Sequence, residues 1–445
     1  MTLVRPKELP IGPYPFEHDK LDRQGRVTAL CNLIQTIESP AVIAVNGRFG
    51  SGKSVFLEMC AAQLRNAGQE VVEFNAWTQS HTGLPLVDLV SALAKDETAF
   101  KRLLEIAINV GLRAAGILSK GFFSREDFEK SMDLSKFGDW QHTEAQVNGF
   151  KKELEKLAKQ REGLVVVVDE LDRCLPEQAM AYLNVVRHLF DVDRVVIVLG
   201  VNELELRERV RKLYGQDCDA EVYLRRFVDL IVDLPDPGPR LGHFLDWVYE
   251  SAGLGDRLKA DEDQHAGRMV RLLAERSGMS LRDIEQTVHQ AACVLEAVPA
   301  PVGSSDDVQS AKEEATLSLH ALRAVAPDVY SGFVAGTEDR FAAAECLVRE
   351  LSLASVARHP GDGDAGDGGH ETGMGAAAVR MVAALLALHS DLGGQELRTG
   401  LAGAEWGGPA FATAIEQEVV RVRPSFTVIT VGEIADLVEL AVWSG

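Results

Sequence analysis

The stretch Gly47-Arg48-Phe49-Gly50-Ser51-Gly52-Lys53-Ser54 decides the fold, because it completes the pattern G-x-x-x-x-G-K-[ST]. An apolar run, Ala41–Val45, comes directly before it, and a segment with helical character, Ser54–Leu64, follows. Glycines let bare backbone curve closely around an anion, with N–H groups directed at the phosphates. We therefore predict a strand, a phosphate-binding loop and a helix, and hence a nucleoside triphosphate site.

Two side chains of this loop have defined chemical roles at this spacing. Lys53 is expected to reach the β- and γ-phosphates, and the Ser54 hydroxyl is expected to ligate magnesium. An incidental Gly-rich turn is the alternative, but it would not explain both the strand before the loop and the helix after it. The predicted cofactors are therefore ATP and Mg²⁺.

A second run, Leu164–Val168, is continuous and rich in valine, which is typical of a strand buried on both faces. It ends in Asp169-Glu170, the form of a Walker B segment. Asp169 is expected to hold magnesium beside Ser54, and Glu170 to polarise the attacking water. A surface carboxylate at the start of a loop is the alternative for Glu170. The paired carboxylates favour hydrolysis over a switch or kinase.

Length, charge and cysteine usage limit the class of protein. With 445 residues, the chain is expected to form two or three domains. Its 67 acidic and 46 basic residues give a formal charge of −21, which disfavours non-specific binding to nucleic acid or anionic membranes. The six cysteines lack metal-ligand spacing, and the amino terminus lacks a secretory apolar core, so we expect a cytoplasmic protein.

The most apolar candidate for a membrane span is Leu103–Leu118, which is shorter than the ~20 residues that a span requires. Glu105, Asn109 and Arg113 recur within it every four residues, so they form a polar stripe on one helix face. We expect an amphipathic helix that packs on the protein and no membrane span. Docking on a membrane surface is the alternative.

Segments with strand and helix character alternate through the first half of the chain, which predicts an α/β fold with a parallel sheet flanked by helices. Helical periodicity dominates the second half. The predicted parts are an amino-terminal arm and helix (1–40), a P-loop NTPase core (41–235), a helical lid (236–298), a helical region (299–358), a flexible Gly/Asp-rich linker (359–375) and a small carboxy-terminal region (376–445).

The linker prediction rests on Pro360–Gly369, whose composition cannot bury apolar surface. A calcium loop is the alternative, but Gly366 occupies the third ligand position and no Glu closes the loop. Beyond the linker, the pattern predicts helices at Ala376–Leu388, Pro409–Glu418 and Gly432–Trp443, and a strand at Phe426–Val431.

The chain resembles the KAP family of P-loop NTPases. Besides the two Walker segments, the resemblance rests on segments in the family's order: Asp19–Arg23, Phe74–Trp77 (F-N-A-W), Asp169–Cys174 (D-E-L-D-R-C) and Tyr223–Phe227. It covers about residues 11–300 and implies an additional-strand ATPase core with a helical lid. Many members carry transmembrane helices between the Walker segments, and their lack here resembles a soluble, bacterial-type member.

The resemblance implies three further site residues. Asn202 falls where a polar sensor residue reads the γ-phosphate, although the family more often has an acid there. Arg226 falls on a basic position that contacts phosphate in cis or from a neighbouring subunit, and Arg282 resembles a lid arginine. A surface salt bridge is the alternative for each arginine. Arg48-Phe49 departs from the family's usual acid or small residue followed by Trp, a change expected to leave phosphate binding intact.

The leading functional hypothesis is an ATPase whose cycle drives a conformational switch or motor for unidentified partner proteins, with homo-oligomers expected among its assemblies. Some prokaryotic relatives belong to phage-defence or plasmid-exclusion systems, which associates the chain with antiviral defence. One alternative is a non-hydrolysing, nucleotide-gated scaffold or signalling protein, against which Glu170 weighs. A small-molecule kinase is another, but no Arg-rich phosphate lid is legible in the sequence.

Overall fold

The chain forms two compact units that divide between residues 236 and 237. The structure is a computed structural model. It describes residues 11–93, 103–108, 140–235, 240–255, 265–297, 306–335, 340–351, 368–387, 394–403 and 409–426.

The amino-terminal unit contains a five-stranded sheet whose described pairs are all parallel. Its strands are β1 (Ala41–Asn46), β2 (Glu70–Asn75), β3 (Leu164–Asp169), β4 (Val195–Val201) and β5 (Leu230–Asp233). The strand order is β2-β3-β4-β1-β5, so β4 is the additional strand between the two Walker strands. The predicted α/β class and parallel sheet are confirmed. The sequence pattern did not indicate β5, because it is a short edge strand that remains largely exposed.

Helices connect these strands and cover the sheet. They are α1 (Gln24–Thr36), α2 (Lys53–Asn66), α3 (Pro85–Ala92), α4 (Trp140–Gln160), α5 (Pro176–Leu189), α6 (Glu203–Tyr214) and α7 (Ala220–Leu224). Residues 103–108 are also helical, with Leu103 and Ala107 buried and Glu105 exposed, as expected of an amphipathic helix. The remainder of the predicted helix, including Asn109 and Arg113, lies outside the described residues.

Alternation along each strand divides the sheet's apolar side chains between two faces. On β1, Ile43 and Val45 belong to a core with residues of α1 and α2. Val42 and Ala44 belong to a second core that includes residues of α3, α4 and α5. Because both faces are covered, the strands lack alternating polarity. The carboxyl ends of the parallel strands meet at one edge, which is where the site lies.

The described part of the carboxy-terminal unit is helical. Its helices are α8 (Leu241–Ser251), α9 (His265–Arg276), α10 (Leu281–Ala297), α11 (Asp306–Val325), α12 (Pro327–Val334), α13 (Arg340–Glu350), α14 (Gly368–Ala387), α15 (Gly394–Gly403) and α16 (Pro409–Phe426). Among the described residues, none of the helices combines the length and the apolar character needed to cross a membrane.

The structure differs from two predictions for this unit where their residues are described. The predicted linker, 359–375, overlaps α14, which begins at Gly368. This helix packs against α9, α11, α13 and α16, and such packing overrides the low helix propensity of glycine. Phe426 ends α16 instead of starting a strand, because the helix runs beyond the predicted end at Glu418. Residues 427–431 and the predicted helix Gly432–Trp443 lie outside the described residues.

Candidate nucleotide site

The loop between β1 and α2 has a backbone that requires glycine at several positions. Gly50 and Gly52 have φ angles of 69° and 82°, in the left-handed region that other residues rarely adopt. A Cβ at Gly47 would lie 2.8 Å from Ser51 Oγ and 3.1 Å from Lys53 Cγ. α2 begins at Lys53, so the first N–H groups of that helix have no intrahelical partner and are available to an anion.

Lys53 lies against its own loop and is 8% exposed. Its ammonium donates to the carbonyl oxygens of Gly47 at 2.8 Å and Arg48 at 3.3 Å. It also lies 3.6 Å from the Asp172 carboxylate and 5.5 Å from the centroid of the Phe49 ring. The lysine is therefore held at the mouth of the loop by groups that a phosphate chain would partly replace.

Ser54 and Asp169 come together across the sheet edge, where the Ser54 hydroxyl acts to lower the pKa of the Asp169 carboxylate. Burial raises the pKa of Asp169, and the Ser54 hydroxyl and the hydrogen bond from the Glu170 N–H, at 2.8 Å, oppose that rise. Gly200 leaves the space for this carboxylate, because a Cβ there would collide with Asp169 Oδ1 and with Leu57.

Glu170 is oriented by donors on both carboxylate oxygens. Asn75 Nδ2 donates to Oε2 at 2.9 Å, and Arg173 lies 3.0 Å from Oε1. The Asn75 side-chain oxygen in turn accepts from the backbone N–H groups of Trp77 and Thr78 at 3.0 and 2.9 Å. Glu170 is thus tied through one amide side chain to the turn that follows β2.

Asp172 is a buried carboxylate at the centre of the site, with 1% exposure. It pairs with Lys53 and accepts the Asn202 N–H at 2.7 Å. Burial raises the pKa of Asp172, and Lys53 and the Asn202 N–H oppose that rise. Arg209 donates to the backbone carbonyls of Asp172 and Cys174, which secures this segment to α6. The structure therefore brings Asn202, itself 7% exposed, to Lys53 through one shared carboxylate.

The two arginines implied by the family resemblance belong to different units. Arg226 is exposed, with its guanidinium 5.7 Å from the ring centroid of Tyr223 on α7. Arg282 is exposed in the first turn of α10, in the carboxy-terminal unit, where its charge acts on Glu285. Both roles remain predictions.

Sequence reasoning assigned no role to four residues that shape the site: Arg23, Asn75, Arg173 and Gly200. Asn75 is the instructive case, because it lies opposite Asp169 in the register between β2 and β3. A polar residue at the carboxyl end of an apolar strand could have marked Asn75 as a candidate site residue, because sites of open α/β sheets lie at those strand ends. The adjacency of β2 and β3 was needed to connect it to Glu170.

The residues present fit a nucleoside triphosphate and Mg²⁺. Ser51 Oγ is buried and has no hydrogen-bond partner within the described structure, as expected of a group that awaits a ligand. Ser54 and Asp169 offer the hard oxygen ligands that magnesium prefers. No group of three His, Cys, Asp or Glu residues in the described part of the chain could hold a metal.

A parallel sheet with a glycine loop at the end of β1 and paired carboxylates at the end of β3 defines a nucleotide-binding P-loop NTPase. The family model for the KAP family P-loop domain matches residues 24–296, more than half of the chain. The chain belongs to the KAP family of P-loop NTPases, as the sequence resemblance predicted.

Solved structures with a similar chain course include origin-recognition proteins. The Aeropyrum pernix ORC2 protein in its ADP form is 16% identical, with 78% of this chain and 83% of that chain covered and a TM-score of 0.33. The structure of its ADPNP–ADP complexes is 13% identical, with 90% of this chain and 94% of that chain covered and a TM-score of 0.34. Drosophila ORC bound to poly(dA/dT) DNA and Cdc6 is 12% identical, with 97% of this chain and 71% of that chain covered and a TM-score of 0.33. These TM-scores are too low to support inferences about function. No curated protein matches the chain.

Proposed function

We propose that this chain binds ATP with Mg²⁺ and hydrolyses it, and that the hydrolysis cycle sets a conformational state for partner proteins. The observation that carries this proposal is the position of Glu170. Glu170 directly follows Asp169, whose carboxylate interacts with the Ser54 hydroxyl, and its own carboxylate is anchored by Asn75 and Arg173. A carboxylate oriented beside the metal and phosphate residues is the arrangement that activation of water requires.

Each residue has a distinct part in this reaction. The loop amides and Lys53 bind the phosphates, and Ser54 and Asp169 hold Mg²⁺, which supplies charge neutralisation at the phosphate oxygens when bound. Asn75 and Arg173 orient Glu170. Because each carboxylate oxygen has two lone pairs, Glu170 can accept a hydrogen bond from water while it keeps both anchors.

The experiment compares phosphate release by the wild type and by Glu170→Gln. The amide keeps the shape of the side chain but loses the charge that polarises water, so turnover should fall by ~10²-fold or more while ATP affinity persists. Glu177→Gln, an exposed carboxylate at the start of α5, is the matched control and should retain full activity. Equal release by Glu170→Gln and wild type would contradict the proposal and move the base elsewhere, with Asp172 the next candidate.

A non-hydrolysing, nucleotide-gated scaffold is the second candidate function. The ion pair between Arg173 and Glu170 favours it, because the guanidinium partly neutralises the negative charge that would polarise water. ATP binding by the wild type without phosphate release, alone or with partner proteins, would establish this second function. Phosphate release that Glu170→Gln abolishes would exclude it.

A role in antiviral defence rests on family association and needs its own experiment. Bacteria that express the wild-type chain together with its neighbouring genes should resist phage, and Lys53→Ala should remove the protection. Equal plaque numbers with and without the intact phosphate-binding loop would contradict this role.

A further inference from the structure

Arg23 is a buried cation that reaches the back of the phosphate-binding loop. It immediately precedes α1 and is 4% exposed. Its guanidinium donates to the Gly52 carbonyl at 3.0 Å through Nη1 and to the Ser51 carbonyl at 2.7 Å through Nη2. The fork of the guanidinium therefore spans two consecutive peptide groups of the loop.

Fixing these carbonyls also fixes the amides joined to them. The described residues contain no cis peptide bond, so each peptide C=O points opposite to the N–H of the next residue. With the Ser51 and Gly52 carbonyls directed at Arg23, the N–H groups of Gly52 and Lys53 point to the other side. Those N–H groups stand at the start of α2, where helix geometry offers them no acceptor.

Arg23 occupies space that is open only because residue 52 of the loop is glycine. A Cβ at Gly52 would lie 2.7 Å from Arg23 Nη1. Asp19 supports the arginine from the other side. Its carboxylate accepts from the backbone N–H groups of Leu21 and Gln24, at 3.2 and 2.9 Å, which fixes the turn that carries Arg23. Burial lowers the pKa of Arg23 to about 10 and Asp19 opposes that shift, so the guanidinium is charged at neutral pH.

We propose that Arg23 is a positioning residue for phosphate binding, which aims the Gly52 and Lys53 amides at the nucleotide by holding the carbonyls of Ser51 and Gly52. A cation at the carbonyl end of a peptide also polarises its N–H, which strengthens the amide as a donor to an anion. This inference rests on the nucleotide site proposed above, and it adds a residue that touches no part of the ligand.

The test separates phosphate recognition from general support of α1. Binding of ADP and of adenosine to the full chain is measured by titration calorimetry, together with thermal melts. The variants are Arg23→Gln, Arg23→Lys and, as the matched control, Arg26→Gln, an exposed arginine in the first turn of the same helix. Adenosine lacks the phosphates, so it reports on the remainder of the site alone.

Arg23→Gln should weaken ADP binding about tenfold or more, the order expected when charged hydrogen bonds are lost, and leave adenosine binding unchanged. Arg23→Lys should recover part of the affinity, because it keeps the charge but lacks the fork. If Arg23→Gln does not fold, the comparison of Arg23→Lys with Arg26→Gln carries the test.

Three outcomes would overturn the inference. Unchanged ADP affinity in folded Arg23 variants would show that the loop amides need no such support. Equal losses for ADP and adenosine would assign Arg23 a purely structural role. A wild-type chain that fails to bind ADP would overturn the nucleotide site itself, and this inference with it.

Discussion

Glu170 has a φ of 58°, in the left-handed region that costs a non-glycine residue roughly 1–2 kcal/mol. Asn75 and Arg173 contact its carboxylate at 2.9 and 3.0 Å and so stabilise the residue in this backbone conformation. The strained turn directs the chain into the short 3-10 helix Leu171–Arg173, which carries Asp172 back towards Lys53. Backbone strain at Glu170 thus separates its carboxylate from that of Asp172. Glu170 contacts Asn75 and Arg173, whereas Asp172 contacts Lys53.

Gly200 offers the sharpest test of the residues proposed to bind magnesium. Gly200→Ala should reduce ATP hydrolysis strongly, because its methyl group would occupy the space of Asp169 Oδ1 and of the Leu57 side chain. Overpacking of this kind costs roughly 1–3 kcal/mol of stability, so the melting temperature should also fall. Steady-state phosphate release over a range of Mg²⁺ concentrations is the measurement. Hydrolysis with an unchanged requirement for Mg²⁺ would refute the role of Asp169.

At the scale of elements, the first residues of α2 lie beside the carboxyl end of β3. Both faces of the sheet are covered by apolar side chains, so sliding β3 by one residue would exchange its two faces without exposing a polar one. In the observed register, the hydrogen-bonded ladder aligns Asn75 with Asp169 and Val45 with Gly200. That alignment places Asn75 and Asp169, the polar residues that end β2 and β3, side by side at the carboxyl edge of the sheet.

α4 contains a glycine for which the described structure shows no packing role. A Cβ at Gly149 would meet nothing within 4 Å. Glycine inside a helix costs roughly 0.5–1 kcal/mol relative to alanine, so Gly149→Ala should raise the free energy of unfolding by about that amount. Thermal or urea unfolding is the measurement, and ATP hydrolysis should not change. A lower melting temperature would show that the glycine serves a contact.

In α11, His320 is 3% exposed, and its Nε2 has no hydrogen-bond partner within the described structure. Burial, aided by the charge of Arg323, lowers the pKa of His320 to about 3. The unfolded chain therefore takes up a proton below about pH 6.5 that the folded chain does not, so stability should fall as the pH drops from there towards 3.

This effect amounts to about 2 kcal/mol at pH 5, relative to pH 7.5. Melting temperatures of the wild type and His320→Gln at the two pH values measure it, and the variant should lose less stability in acid. His243→Gln, on the exposed surface of α8, is the control. An acid response of His320→Gln equal to that of the wild type would mean that other groups account for the loss.

At the scale of the whole molecule, the candidate residues are divided between the two units. The Walker segments, Asn202 and Arg226 lie in the amino-terminal unit, and Arg282 lies in the carboxy-terminal unit. If Arg226 serves the nucleotide of a neighbouring copy, specific activity should rise with protein concentration. Mixing Lys53→Ala with Arg226→Ala should also restore some turnover, because a mixed interface joins an intact loop to an intact arginine. Activity independent of concentration, without rescue, would place Arg226 in cis or give it a structural role.

The sequence by itself determined the parallel α/β core and the family, and it predicted the phosphate-binding loop and the Walker B carboxylates. These features are local: the loop is a contiguous pattern, the buried strands are continuous apolar runs, and helices repeat with a period near four residues. The weakest local signals produced the errors, since β5 is short and exposed and the start of α14 is rich in glycine.

Only the tertiary structure decided which distant residues complete the site. Arg23 contacts the loop 28 and 29 positions along the chain, and Asn75 contacts Glu170 across 95 positions. Gly200 was indistinguishable from any other strand glycine until β4 was placed beside β3. Periodicity reports which face of an element is buried, but strand order and packing decide which elements are neighbours. Contacts between separate elements therefore depend on the assembled fold, and no local pattern encodes them.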